Sequence, residues 1–169
     1  MMTTRILSIA NPTDLDLLRK ESLAVSFITL DDGTQQLDQE TTELVEQLKQ
    51  IVISRDGLGI SAVQVGVHKK LFLLRTKQDK LLTIINPRII KGKGSNTGPE
   101  GCFSIDLSER MAAMVKRMTS INVVYDNEHG KLICSELLGL DAIVFQHEYD
   151  HCLGKLMIDP PHFTGWSKF

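Results

Sequence analysis

The sequence predicts an α+β fold: a single domain of mostly antiparallel sheets packed around a C-terminal metal-binding helix, with two further helices near the N-terminus. Two observations carry this. Helix-period apolar spacing occurs early in the chain and again after Gly139, whereas the residues between Asp56 and Leu137 form short apolar or alternating runs broken by turn residues. With 169 residues, 42% of them hydrophobic, the chain can enclose one core, so residues 1–169 are expected to form one domain.

The elements follow in order. Asn11-Pro12, followed by Asp14, Leu15, Leu17, Leu18 and Arg19, has an N-cap residue, a proline at the first helical position and a short helix. From Asp38 to about Ser54, Leu44, Val45, Leu48, Ile51 and Val52 recur at three- and four-residue spacing, which puts one stripe of a second helix on the core. Strands are expected over Ser61–Val65, Leu71–Arg75, Leu81–Ile85 and Arg88–Lys91. Ile121–Tyr125 and Lys131–Leu137 flank Asp126–Gly130 as a hairpin with a five-residue loop. Gly139 opens the last helix, which runs to about Cys152, and Gly154 and Pro160-Pro161 are expected to end regular structure.

Bulk properties exclude several classes. A formal net charge of -2 with interspersed signs gives no basic stripe for a phosphate backbone, so direct nucleic-acid binding is not expected. The longest apolar runs are strand-sized, far below the ~20 residues of a membrane-spanning helix. The first eleven residues read as neither signal nor transit peptide, and a cytoplasmic location is expected. Three cysteines, Cys102, Cys134 and Cys152, make a poor disulfide framework but a reasonable source of one thiolate ligand.

His147-Glu148-Tyr149-Asp150-His151 is an H-E-x-x-H sequence inside the last helix, where four residues bring both imidazoles onto one face. Leu140, Ile143 and Val144 precede His147 on the same stripe, so the pair is expected at the end of an inward-facing apolar strip. Glu148, one residue round the helix, suits a general base and later acid rather than a ligand. Two histidines hold a metal weakly, and an open catalytic site needs a third protein ligand. Met157 stands where a metzincin has its third histidine, and no glutamate follows Glu148. Asp159 and His162 lie in a proline-interrupted tail, and Cys152 projects about 100° round the helix from His151. Taken alone, Cys102 reads more readily as a small buried residue. Coupled to the histidine pair it is the best third ligand, preceded by Gly101, which would let another backbone approach closely. A thiolate and two imidazoles leave one position for water around zinc or ferrous iron. A general metallopeptidase shares this motif, and a non-catalytic, metal-stabilised binding module would have four protein ligands and no exchangeable water.

The residues resemble peptide deformylases in three motifs, in order and spread over most of the chain. Gly57-Leu58-Gly59-Ile60-Ser61-Ala62-Val63-Gln64 is similar to their G-x-G-L-A-A-x-Q, Glu100 to Ser104 to E-G-C-L-S, and Gln146 to His151 to Q-H-E-x-D-H. The resemblance implies one ion, usually Fe(2+) with Zn2+ or Ni2+ as substitutes, on Cys102, His147 and His151. It implies removal of formate from N-formylmethionyl nascent peptides, with Glu148 moving the proton and the Gln64 side-chain amide and Phe103 backbone N–H stabilising the oxyanion. Ile143, Val144 and Leu58 would line the methionine pocket, and the substrate backbone would run extended beside Leu58-Gly59 and Gly101. Arg110 is the candidate contact to the substrate backbone in a segment slightly longer than in common bacterial members. Ile60, Ser61 and Phe103 depart from the usual Leu, Ala and Leu. Some members dock on the ribosome through a long terminal helix; Pro160, Pro161 and Gly165 do not allow one here, so the resemblance carries over the nascent chain as partner and not that mode of ribosome docking.

Overall fold

In the computed structural model, which describes residues 5–107 and 111–168, strand β4 (Leu71–Arg75) organises the molecule. Its residues alternate between two faces, as a pleated strand must. Leu71 and Leu73 join one apolar cluster with Leu44, Val45, Leu48 and Val52, while Phe72 and Leu74 join another with Ala142, Val144 and Phe145. The strand is therefore buried on both sides between two helices.

Those helices are the ones the apolar spacing predicts. Helix α1 (Pro12–Leu18) is capped by the Asn11 side chain, which accepts from the Thr13 and Asp14 amides. Helix α2 (Gln39–Ser54) is capped by Asp38, which accepts from the Thr41 amide at 2.6 Å. Helix α3 (Gly139–Cys152) carries the H-E-x-x-H residues.

The strands form three sheets. A short hairpin pairs β1 (Ile28–Thr29) with β2 (Gln35–Gln36). The main sheet has the order β3-β4-β5-β8-β9, from β3 (Gly59–Ser61), β5 (Leu81–Lys93), β8 (Ser120–Asp126) and β9 (Leu132–Leu138), all antiparallel. The third sheet, β10-β7-β6, consists of β6 (Asn96–Glu100), β7 (Met111–Arg117) and β10 (Phe163–Lys168), also antiparallel. Among the described residues, no helix is long and apolar enough to cross a membrane.

Several expectations change. Ser61–Val65 is not a strand: pairing with β4 ends at Ser61, and Ala62–Val65 coil into a 3-10 turn closed by Gly66 at φ 85°. Leu81–Ile85 and Arg88–Lys91 belong to one strand, whose register shifts between Ile85 and Arg88, with Asn86 at φ 50°. The tail beyond Pro160 does not lose regular structure, because β10 adds to the edge of the third sheet. Three segments escape an alternation test: the β1 and β2 pair is only two residues long, β6 contains Gly98 and Pro99, and β7 is buried on both faces over much of its length.

Candidate metal centre

Three elements meet at one cleft of about 500 Å³: the edge segment Gly57–Gly59, the Glu100–Phe103 segment that leaves β6, and the face of α3 bearing His147 and Glu148. At its floor the Cys102 sulfur lies 3.3 Å from His151 Nε2, and the ligand atoms of Cys102, His147 and His151 are all within 4.8 Å of one another. Metal bonds of about 2.3 Å to sulfur and 2.0 Å to nitrogen at a tetrahedral angle place S and N about 3.5 Å apart. The donor set and the S–N spacing fit a divalent ion.

The charges around the ligands fit too. His147 Nδ1–H donates to Glu100 Oε2 at 2.9 Å, which fixes the ring and leaves Nε2 for a metal. Burial opposes charge on His147, but its contacts with Cys102 and Glu100 outweigh this and hold its proton well above the usual histidine range. Burial, helped by the positive charges of His147 and Arg117, lowers His151 well below that range, so its ring is neutral. A protonated His147 beside a neutral His151 puts one positive charge at the site, which a cation can take over from the proton. His151 Nδ1 and Glu148 Oε2 are buried with no partner among the described protein atoms.

Glu148 is 4% exposed, and burial pushes its carboxyl up to about 7. Its neighbour across the cleft is Gly59, where a Cβ would lie 2.7 Å from Glu148 Oε1 and 2.9 Å from the Leu73 carbonyl oxygen. The second glycine of the first motif is therefore a steric requirement of the carboxylate and the β4 backbone together. Gly101 differs: a Cβ there would meet nothing within 4 Å, so no other backbone approaches it. No backbone of this chain makes the close approach, because Gly101 opens onto the cleft.

Gln64 sits in the 3-10 turn with its amide orientation set at both ends. The Ser61 N–H donates to Gln64 Oε1 at 2.9 Å, while Gln64 Nε2 donates to Ser104 Oγ at 3.1 Å and to Cys102 Sγ at 3.5 Å. Leu58, Ile143 and Val144, the residues named for the methionine pocket, line the cleft, and so does Phe103. Leu140 also lines it but is 45% exposed, so the α3 stripe ends at the cleft mouth rather than running wholly inward. Arg110 lies outside the described residues. Cys152 is buried beside Ser61 Oγ, 3.7 Å away and outside the cluster of Cys102, His147 and His151, and burial pushes its thiol up to about 12.

The sequence reading missed the charges behind the ligands. Arg117, 5% exposed, binds Glu100 through Nε at 2.8 Å and Nη2 at 3.1 Å, and reaches Asp150 through Nη1. One guanidinium thus ties the residue two before Cys102 to the residue one before His151. Burial would raise Glu100, but its bonds to His147 and Arg117 pull it down to about 2. A buried arginine in an unread strand gave no periodic signal; the carboxylate at the fourth place of His147–His151 was the available clue. Gln146 adds a further tie, donating to the Met118 carbonyl at 2.8 Å and accepting from the Met118 amide at 3.0 Å.

The polypeptide deformylase family model matches residues 5–163. A peptide deformylase of Tolumonas auensis is 33% identical over 144 residues, covering 84% of this chain and 79% of that protein. Among solved structures, the peptide deformylase of Thermotoga maritima superposes with a TM-score of 0.80 at 28% identity, covering 96% of this chain and 98% of that one. The Synechococcus elongatus enzyme in complex with actinonin gives 0.79 at 28% identity, covering 96% and 79%.

Proposed function

The chain belongs to the polypeptide deformylase family of metal-dependent hydrolases, which remove the N-formyl group from newly made polypeptides, and we propose that its active centre is built from Cys102, His147, His151 and Glu148. The observation that carries this reading is the convergence of one sulfur and two imidazoles beside a buried carboxylate at the floor of an apolar cleft. In this reading Fe(2+) is the native ion, with Zn2+ or Ni2+ as substitutes, and residues 1–169 act as one catalytic domain.

When bound, the cation supplies Lewis acidity that polarises the formyl carbonyl and makes water more acidic. The protein does the rest. Glu148 takes a proton from the attacking water and passes it to the departing amine; burial prepares it for both roles by bringing its affinity for the proton close to neutral pH. The Gln64 Nε2–H group and the Phe103 backbone N–H stabilise the negative charge that develops on the formyl oxygen. Ser61 and Ser104 already hold the Gln64 amide, so the N–H group directed at Cys102 Sγ is the one that turns to the substrate oxygen. Leu58, Ile143 and Val144 surround the methionine side chain, and the peptide runs beside Gly59 and Gly101, where no side chains stand in its way. The C–N bond breaks, leaving formate and a free α-amine, with no covalent enzyme intermediate.

The test is formate release from formyl-Met peptides by anaerobically purified, metal-loaded protein. Release of formate with no cleavage of casein is the expected result. Cleavage of internal peptide bonds would replace this reading with a general metallopeptidase.

A further inference from the structure

Arg55 caps the C-terminal end of α2 and stands exposed two residues before Gly57, where the cleft wall begins. Its guanidinium carbon lies 5.6 Å from the centroid of the Phe103 ring. That ring also lines the cleft and packs so tightly on Gly57 that a Cβ there would lie 2.5 Å from it. Neighbouring Asp56 is engaged by Arg75, and among the described residues no carboxylate lies within ion-pair distance of Arg55. A cation is therefore oriented on an aromatic surface at the cleft rim without being neutralised.

We propose that Arg55, laid on the Phe103 ring, is a specificity-determining residue that favours formylated chains with an acidic side chain in the second or third position after the formyl group. This rests on the deformylase reading and extends it to the substrate residues beyond the methionine. β3 is the free edge of the main sheet, and its first residue, Gly59, abuts the Glu148 carboxylate. A peptide whose formyl end lies at Glu148 and whose backbone runs along this edge leaves past Gly57 and Phe103. At about 3.3 Å per extended residue, its second and third side chains come level with the ring and the guanidinium. Asp106, an exposed carboxylate that also lines the cleft, acts in the opposite sense, so the preference must be read by changing Arg55 alone.

The experiment compares formate release by metal-loaded wild type, Arg55→Met, Arg55→Lys and Arg55→Glu on C-terminally amidated peptides. These are formyl-Met-Asp-Ala against formyl-Met-Lys-Ala, and formyl-Met-Ala-Asp against formyl-Met-Ala-Lys. Wild type should prefer the acidic member at one or both positions by about two- to fivefold in kcat/KM, mainly through KM, as expected of one exposed charge pair. The preference should shrink at high salt, persist in part in Arg55→Lys, approach unity in Arg55→Met and invert in Arg55→Glu. Acid-to-base ratios that stay the same across the four proteins at both positions would overturn the proposal while leaving the deformylase reading intact. Absence of formate release from all four peptides by wild type would overturn the reading beneath it.

Discussion

Gly59 and Glu148 face each other with no room for a methyl group between them: a Cβ on Gly59 would come within 2.7 Å of the carboxylate oxygen. The Leu73 carbonyl behind it, at 2.9 Å, belongs to the β4 backbone and cannot swing away. Gly59→Ala should therefore displace Glu148, lowering kcat by on the order of 10²-fold. The overpacking should cost about 1–3 kcal/mol in stability. Steady-state kinetics together with urea unfolding check both; unchanged kcat would mean that the carboxylate does not need its observed position.

Replacing Glu148 by Ala should reduce turnover by about 10²–10⁴-fold while the metal, measured by elemental analysis, stays bound. The carboxyl is raised by burial to about 7 in the metal-free protein, and a nearby cation favours its ionised form. Because the base works only when ionised, kcat/KM of the loaded enzyme should rise with pH along a limb centred at or below about 7. A Glu148→Ala protein with near wild-type turnover would remove this residue from the chemistry.

Glu100 and Arg117 make a linked prediction about stability. Glu100 is held at about 2, against 4.5 for an ordinary glutamate, so the unfolded chain binds its proton more tightly than the folded one. Its contribution is fully present above pH 4.5 and is lost as pH falls through 2. Arg117→Met leaves Glu100 and Asp150 without their shared cation, which should cost about 3–5 kcal/mol and move the acid transition of the metal-free protein to higher pH. Denaturant titrations at a series of pH values read both effects.

How much of this was legible in the sequence differs from place to place. The helices were, because capping residues and a single apolar stripe act within a few residues of chain: Asn11, Asp38 and the Leu44–Val52 stripe stand where spacing predicts them. The H-E-x-x-H residues were legible for the same reason, and Cys102 because its companions in the sequence matched a known pattern. The Arg117 clamp, the Ser104 contact to Gln64 and the Arg55–Phe103 stack were not. Each joins residues at least 17 apart in the chain through side chains whose types occur on any surface. The β3 boundary was misplaced because Ala62–Val65 is as apolar as a strand, and only its hydrogen bonds reveal the turn.

The three cysteines should separate by reactivity. Cys134 is exposed, whereas Cys152 is buried with its thiol raised to about 12, so at pH 8 only about one molecule in 10⁴ would carry the Cys152 thiolate, before its inaccessibility is counted. Titration with a thiol reagent should modify one cysteine in the loaded protein and a second, Cys102, once a chelator removes the metal. Equal labelling before and after chelation would argue against Cys102 as a ligand.

X-ray absorption of the metal-loaded protein tests the centre most directly. Wild type should show one sulfur at about 2.3 Å and two imidazole nitrogens at about 2.0 Å, with the sulfur shell lost in Cys102→Ser and kept in Cys152→Ser. A shell of nitrogen and oxygen alone, or a sulfur that survives Cys102→Ser, would contradict the site described above.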